Sequence, residues 1–267
     1  MTPTPIKAVI FDWAGTMIDF GCIAPVAAFQ AAFAAEGVDL AAEAARRDMG
    51  LAKLDHVRAL LALPEVARAW GAAKEMEAGE ADALRIFAAL EPLITEAAIA
   101  HAELIPGAAE TFAGLKARGI VVGSCTGYTR AMMARVLPRA AEQGYAPDAV
   151  ICAGETPLGR PAPLMIWKLL GDLRVWPASS VVKVDDAAVG MQEGRNAGCW
   201  TVGVSASGNG VGLGLDAYRA LPDAERAERV EASARTLRDA GAHFVIETVA
   251  DLPTVLDRIA AGPATPS

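Results

Sequence analysis

Several apolar runs in this chain stop on a residue that can do chemistry. "KAVIFD" ends on Asp12, with Ala14 and Gly15 just after it, and "SVVKVDD" ends on the adjacent carboxylates Asp185 and Asp186. "IVVGSCT" ends on Thr126, followed by Gly127 and Tyr128, and Arg160 stands in the Pro-rich stretch "GETPLGRPAP". Two or three carboxylates, a hydroxyl and a cation brought to one crevice suit a hard divalent ion, Mg²⁺, together with a phosphoryl group. A carboxylate attacking phosphorus needs charge neutralised on itself and on the phosphoryl oxygens, a task for Mg²⁺ and Arg160. Asp12 also has a plainer reading, as the N-cap of a helix that follows the strand. Neighbouring side chains at a strand end point apart, so one of Asp185 and Asp186 is expected to reach the metal and the other to brace the loop.

Lys53, in "MGLAKLDHVRAL", has Met49 four residues before it and His56 three after. A helix would place all three on one face. The plain reading of such a lysine alone is a solvated surface side chain, and a lone helical histidine is as readily packed or solvated as reactive.

These residues need elements to hold them. Buried parallel strands are expected at 7–12, 120–126, 149–154, 180–186, 199–204 and 242–248, separated by helical segments such as 107–119 and 129–144. The alternation predicts an α/β fold, a doubly wound Rossmann-like parallel sheet, in which ligands bind beyond the carboxyl ends of the strands. From Gly21 to about His101 the pattern changes to Ala-, Leu-, Glu- and Arg-rich helix without a convincing strand, one helix closing at Gly37 and another at Gly50. The expected division is a core of residues 1–20 and 101–267 with an inserted helical cap of residues 21–100. The glycine-rich "SASGNGVGLG" (205–214) reads as a flexible surface loop, and the tail "AGPATPS" is expected to fray.

Composition narrows the function class. The hydrophobic content of 53% is inflated by alanine, and no run reaches the ~18 apolar residues of a membrane span. No signal peptide is evident, so the expected location is cytoplasmic. The net charge of −8, without a basic cluster, argues against nucleic acid or an anionic membrane as partner. Cys22, Cys125, Cys152 and Cys199 form no CxxC pair and read as free thiols. With His56, His101 and His243 also lacking ligand spacing, a zinc site is not expected.

In chain order and over nearly its whole length, "FDWAGT", "SCTGYTR", "GRPAP" and the stretch from "VDD" through "EGRNAG" to "WTVGV" resemble the four motifs of the haloacid dehalogenase (HAD) superfamily. The resemblance implies that Asp12 is a nucleophile forming an aspartyl-phosphate. Members of that superfamily usually carry a second Asp two residues on, the general acid for an alcohol leaving group; here position 14 is Ala. "DWAGT" together with "MGLAKLDHVRAL" is more narrowly similar to the phosphonatase family, which cleaves the carbon–phosphorus bond of phosphonoacetaldehyde in the degradation of 2-aminoethylphosphonate. A carbon leaving group has no oxygen for a general acid to protonate. It needs an electron sink, which an imine between a lysine and the substrate aldehyde supplies, so the alanine at 14 and the lysine at 53 fit one mechanism.

The same resemblance implies the remaining roles. Lys53 forms the imine. Asp12, Asp186 and the backbone carbonyl of Ala14 ligate Mg²⁺, and Thr126, Gly127 and Arg160 bind the phosphoryl group. Cys22, Met49, His56 and Tyr128 line the substrate pocket, His56 in a position to shuttle protons. A nonpolar cap face, Mg²⁺ and Arg160 are expected to lower the Lys53 pKa. One departure stands out: the fourth motif commonly reads Gly-Asp with another Asp four residues on, whereas here Asp185 replaces the Gly and Gly190 the second Asp. Asp185 is then either a substitute ligand or a supporting residue. The alternative enzyme reading is a Mg²⁺-dependent phosphatase for a small phosphate ester, against which Ala14 counts, since losing a general acid typically costs ~10²–10⁴ in rate. A dehalogenase has little use for Asp186, and a catalytically dead binding fold has little use for Asp12 and Arg160. The apolar surplus of the cap and the resemblance both point to a homodimer through the cap.

Overall fold

Six short runs buried on both faces make the sheet of the computed structural model, which describes residues 5–262 and Pro266. They are β1 (Ala8–Phe11), β2 (Val121–Thr126), β3 (Ala149–Cys152), β4 (Val181–Asp185), β5 (Trp200–Val204) and β6 (Phe244–Ile246), all parallel, in the order β3-β2-β1-β4-β5-β6. This is the doubly wound α/β sheet expected. Each strand is shorter than the run expected for it. Most of the tail expected to fray, like residues 1–4, lies outside the described residues.

The chain winds outward from β1 in both directions, so the crevice lies above β1 and its neighbours β2 and β4. Phe11 pairs with Ser124 on one side and Val184 on the other. That register brings Asp12 level with Cys125 and Asp185. Three strand ends thus deliver Asp12, Thr126 and the 185/186 pair to one place.

Six helices lie between β1 and β2, and the first five form the insert: α1 (Ile23–Ala35), α2 (Ala42–Arg46), α3 (Lys53–Leu61), α4 (Pro64–Lys74) and α5 (Glu80–Ala100). Their buried faces, including Phe29, Phe33, Val57, Leu60, Trp70, Ile86 and Leu90, close on one another. Asp19 sits where the chain leaves the sheet. Its carboxylate accepts the N–H groups of Ile23 and Ala24, capping α1, and His101 on the returning chain lies 3.7 Å away. No helix follows Asp12; the chain makes a turn there, with Met17 N–H bonded to Trp13 O, so the N-cap reading of Asp12 does not apply.

The remaining helices, α6 (Ala108–Ala117), α7 (Arg130–Met133), α8 (Val136–Glu142), α9 (Leu164–Asp172), α10 (Ala188–Ala197), α11 (Leu215–Ala220), α12 (Asp223–Asp239) and α13 (Leu252–Ala261), belong to the sheet portion. The single helix expected over 129–144 is broken between α7 and α8. Pro138 explains the break, since it offers no N–H and its ring excludes the carbonyl four residues back, that of Ala134. Among the described residues, no helix is long and apolar enough to cross a membrane.

Candidate active site

Where the helical insert meets the strand ends, a narrow recess opens. Asp12, Ala14, Thr126, Gly127, Tyr128 and Asp186 line it from the sheet side, and Cys22, Met49, Gly50 and Lys53 from the insert. Sequence reasoning named nine of these ten. It missed Gly50, and also Pro25, Ala187 and the nearby Phe29 ring, all of which act through shape or backbone rather than a reactive group.

The two walls differ in chemistry. Thr126 Oγ1 accepts the Tyr128 N–H at 3.1 Å, which leaves its O–H to be donated. Opposite, Lys53 is the first residue of α3 and only 3% exposed. Its Nζ lies 5.1 Å from the centre of the Tyr128 ring, 5.6 Å from that of Phe29 and 4.0 Å from Met49 Sδ. Met49 precedes α3 in a turn, rather than sharing its helix as expected, yet still reaches the amine. Burial is the main force that lowers the Lys53 pKa to about 8; Arg160 acts in the same direction, while Cys22, Asp12 and Asp186 oppose it. The positive end of α3 also disfavours a cation on its first residue.

Three residues assigned to the site lie behind it. Arg160, only 4% exposed, is not in the lining. Its Nη2 donates to Asp12 Oδ1 and to Cys125 O, both at 2.8 Å, and its Nε to Glu193 Oε2 at 3.0 Å. Its Nη1 faces Gly50 O at 3.3 Å and Asp185 Oδ2 at 3.4 Å. A guanidinium has five N–H donors, and six protein acceptors surround this one, Cys125 Sγ at 3.4 Å included. Arg160 thus braces Asp12 and lends charge from beneath. His56 packs its ring 4.2 Å from that of Phe29, outside the lining. Neither ring nitrogen reaches a partner within hydrogen-bond geometry, the Ala45 backbone standing beside it at looser approach. Burial and then Lys53 push its pKa down to about 3, so it is a neutral imidazole.

Asp185 and Asp186 diverge as the strand pleat requires. Asp185 turns back to Lys183, its partner two residues earlier, at 2.9 Å, and accepts the Ala187 N–H at 3.0 Å. Burial acts against its ionised form, but Lys183 and Arg160 outweigh that and hold its pKa down. Asp186 faces the recess, and among the described residues its hydrogen-bond partners are neutral, Asn209 N–H at 2.7 Å and Thr16 Oγ1 at 3.3 Å. Burial and then the Asp185 charge drive its pKa well above the carboxylate range, and the same two causes raise that of Asp12.

Those shifts mark an unbalanced charge. Four buried carboxylates, Asp12, Asp185, Asp186 and Glu193, surround two buried cations, Arg160 and Lys183. With Lys53 neutral, two negative charges remain, and oxygen atoms of Asp12, Asp185 and Asp186 all lie within 4.8 Å of one another. An all-oxygen, doubly negative donor set suits a hard divalent cation. Lys183 and Glu193 were not anticipated from sequence, although a lysine inside the apolar run "SVVKVDD" is itself a signal that buried partners exist.

Gly127 controls how closely the two walls meet. A Cβ built there stands 2.5 Å from Leu51 O and 3.0 Å from Gly50 O, both backbone atoms of the insert. Gly127→Ala is expected to wedge the insert off the strand ends and lower kcat/KM about 10²-fold, because reacting groups misplaced by ~1 Å lose that much. Its melting temperature should stay near the parent's; steady-state kinetics beside thermal unfolding will show this.

Comparison with known proteins agrees with this architecture. Residues 6–198 match the model of the haloacid dehalogenase-like hydrolase family. The chain is 46% identical over 253 residues to the phosphonoacetaldehyde hydrolase of Paraburkholderia phytofirmans, covering 94% of this chain and 95% of that one. It is 42% identical over 254 residues to that of Bacillus thuringiensis, covering 95% and 96%. Among solved structures, a phosphonoacetaldehyde hydrolase-like protein from Oleispira antarctica superposes with a TM-score of 0.96 at 41% identity, over 100% of this chain and 98% of that one.

Proposed function

Because the chain belongs to the haloacid dehalogenase-like hydrolases, and within them to the phosphonoacetaldehyde hydrolase family, we propose that it hydrolyses phosphonoacetaldehyde to acetaldehyde and phosphate through a Lys53 imine and an Asp12 phosphoenzyme. The observation that carries this reading is the pairing of Lys53, a buried amine with a pKa of about 8, with Asp12 across one recess. The substrate is likewise two-ended, with an aldehyde to face the insert and a phosphonate to face the strand ends.

In the proposed sequence neutral Lys53 attacks the aldehyde carbon, one proton is taken up from solvent and water departs, leaving a protonated imine. Asp12 then attacks phosphorus, and the electrons of the C–P bond pass into the imine, so the carbon leaves as a neutral enamine. Protonation and hydrolysis of that enamine release acetaldehyde and free Lys53, while water cleaves the aspartyl-phosphate to phosphate and Asp12. Met49, Tyr128 and Phe29 keep the amine dry, and Thr126 and Gly127 present polar groups to the phosphonate oxygens. Arg160 holds Asp12 in line. Asp12, Asp186 and the Ala14 carbonyl would hold the divalent ion, Mg²⁺ in this reading, which when bound screens the nucleophile from the phosphonate charge. Ala14 needs no acidic side chain because no alkoxide leaves.

Metal-dependent acetaldehyde release, coupled to NADH oxidation by alcohol dehydrogenase, tests the reading. Release that stops with EDTA and returns with Mg²⁺ supports it; hydrolysis of simple phosphate esters without acetaldehyde release would overturn it.

A pH prediction follows from the amine. Only neutral Lys53 attacks the aldehyde, so imine formation should rise with pH and level off above about 8. At pH 6 only about one amine in a hundred is neutral. Borohydride trapping of the imine at a series of pH values will check the midpoint; a midpoint near that of an exposed lysine would contradict it.

We further propose assembly of two copies through the insert, where Met76, Leu84 and Leu93 are exposed; light scattering of the purified chain tests this.

A further inference from the structure

The glycine-rich segment 205–214, expected at the surface, instead threads the junction between sheet and insert. Ser205, Ala206 and Ser207 are buried. Gly21 N–H donates to Ser207 O at 2.7 Å, and the Ser207 hydroxyl to Gly15 O at 2.9 Å. At its centre Asn209 is engaged at both ends. Its backbone N–H donates to Asp186 Oδ2 at 2.7 Å. Its side chain makes a two-way clasp with Arg46 of α2: Nδ2 donates to Arg46 O, and Arg46 Nη1 donates to Asn209 Oδ1, both at 3.0 Å. The same guanidinium also donates to Gly21 O, Cys22 O and Gly212 O, where the chain enters the insert and where the segment leaves the junction.

We propose that Asn209 is a positioning residue that couples the seating of α2 to the placement of the Asp186 carboxylate, so that divalent-cation affinity depends on the Arg46–Asn209 clasp. The proposal rests on the reading of Asp186 as a cation ligand. Among the described residues Asp186 makes no ion pair, and its two oxygens are steered by one hydroxyl and one backbone N–H. A backbone N–H in a glycine-rich segment has no rigidity of its own. The clasp supplies it: with the Asn209 side chain tied to α2 at two points, its N–H stays aimed at Oδ2. By reciprocity, a cation that fixes Asp186 also favours the seated position of α2.

Mn²⁺ titration followed by the electron paramagnetic resonance of the free ion reads this without turnover. Asn209→Ala and Arg46→Ala should each weaken Mn²⁺ about 10-fold, within the range for groups that orient a ligand. The double variant should bind no more weakly than the weaker single variant, since the two residues act as one unit. Should either alanine variant fail to fold, Arg46→Lys, which keeps the charge and loses the fork, must shift affinity the same way. Asn209→Ala binding Mn²⁺ like the parent, while Asp186→Asn does not bind, would overturn the coupling alone. Asp186→Asn binding like the parent would overturn the ligand reading, and the coupling with it.

Discussion

Lys53→Arg is expected to abolish acetaldehyde release from phosphonoacetaldehyde, lowering kcat by at least about 10³-fold, the scale of losing a covalent nucleophile. The substitution separates two roles that any lysine combines. Arginine keeps a positive charge and can keep contact with the Tyr128 and Phe29 rings, which stand 5.1 and 5.6 Å from the native amine. It cannot become neutral in a protein, so it cannot attack an aldehyde. If Lys53 served only to attract a phosphonate, most activity would survive. If it forms the imine, the C–P electrons lose their sink and the carbon would have to leave as a carbanion. The measurement pairs NADH-coupled turnover with borohydride reduction in the presence of substrate. The parent should gain the mass of one reduced two-carbon adduct and the variant none. Turnover of the variant near the parent's would sink the mechanism.

What the sequence disclosed about this site followed a physical rule. Asp12, Thr126 and Asp186 were legible because each ends an apolar run, and a parallel sheet brings the ends of neighbouring strands together whatever the loops do. Lys53 was legible only through resemblance, since its burial depends on Phe29, Tyr128 and Met49 arriving from three other segments. Arg160 was recognised, but its buried contacts were not. Whether a loop cation lies over or under a carboxylate is decided by acceptors such as Glu193 and Cys125 O, which no local pattern announces. Asn209 was invisible for a stronger reason: its bond to Asp186 uses the backbone, which every residue but proline has. The break before α8 was legible in principle, because Pro138 is a local signal with a known consequence.

Gly190→Ala is expected to be among the most damaging single substitutions in the chain, although it adds one methyl group far from Lys53. A Cβ at 190 would stand 2.0 Å from Asp185 Cγ and 2.2 and 2.4 Å from its two oxygens. The Asp185 carboxylate thus fills the space that a side chain at 190 would use. Nor can it move cheaply, being fully buried and held by Lys183, Arg160 and the Ala187 N–H. Displacing it would leave Lys183 and Arg160 short of a counter-charge in a dry interior. Overpacking of this kind costs about 3 kcal/mol, which for a chain of this size lowers the melting temperature by about 6–12 °C. A side chain at 190 and the Asp185 carboxylate thus compete for one space, and the expectation is that one carboxylate can be supplied from either position. The double variant Asp185→Gly with Gly190→Asp should therefore melt higher, and bind Mn²⁺ more tightly, than either single variant. A double variant no better than the worse single one would show that the two positions are independent. A Gly190→Ala protein melting within about 2 °C of the parent would show that the carboxylate has room to yield, and that its grip on Lys183 and Arg160 is looser than the distances imply.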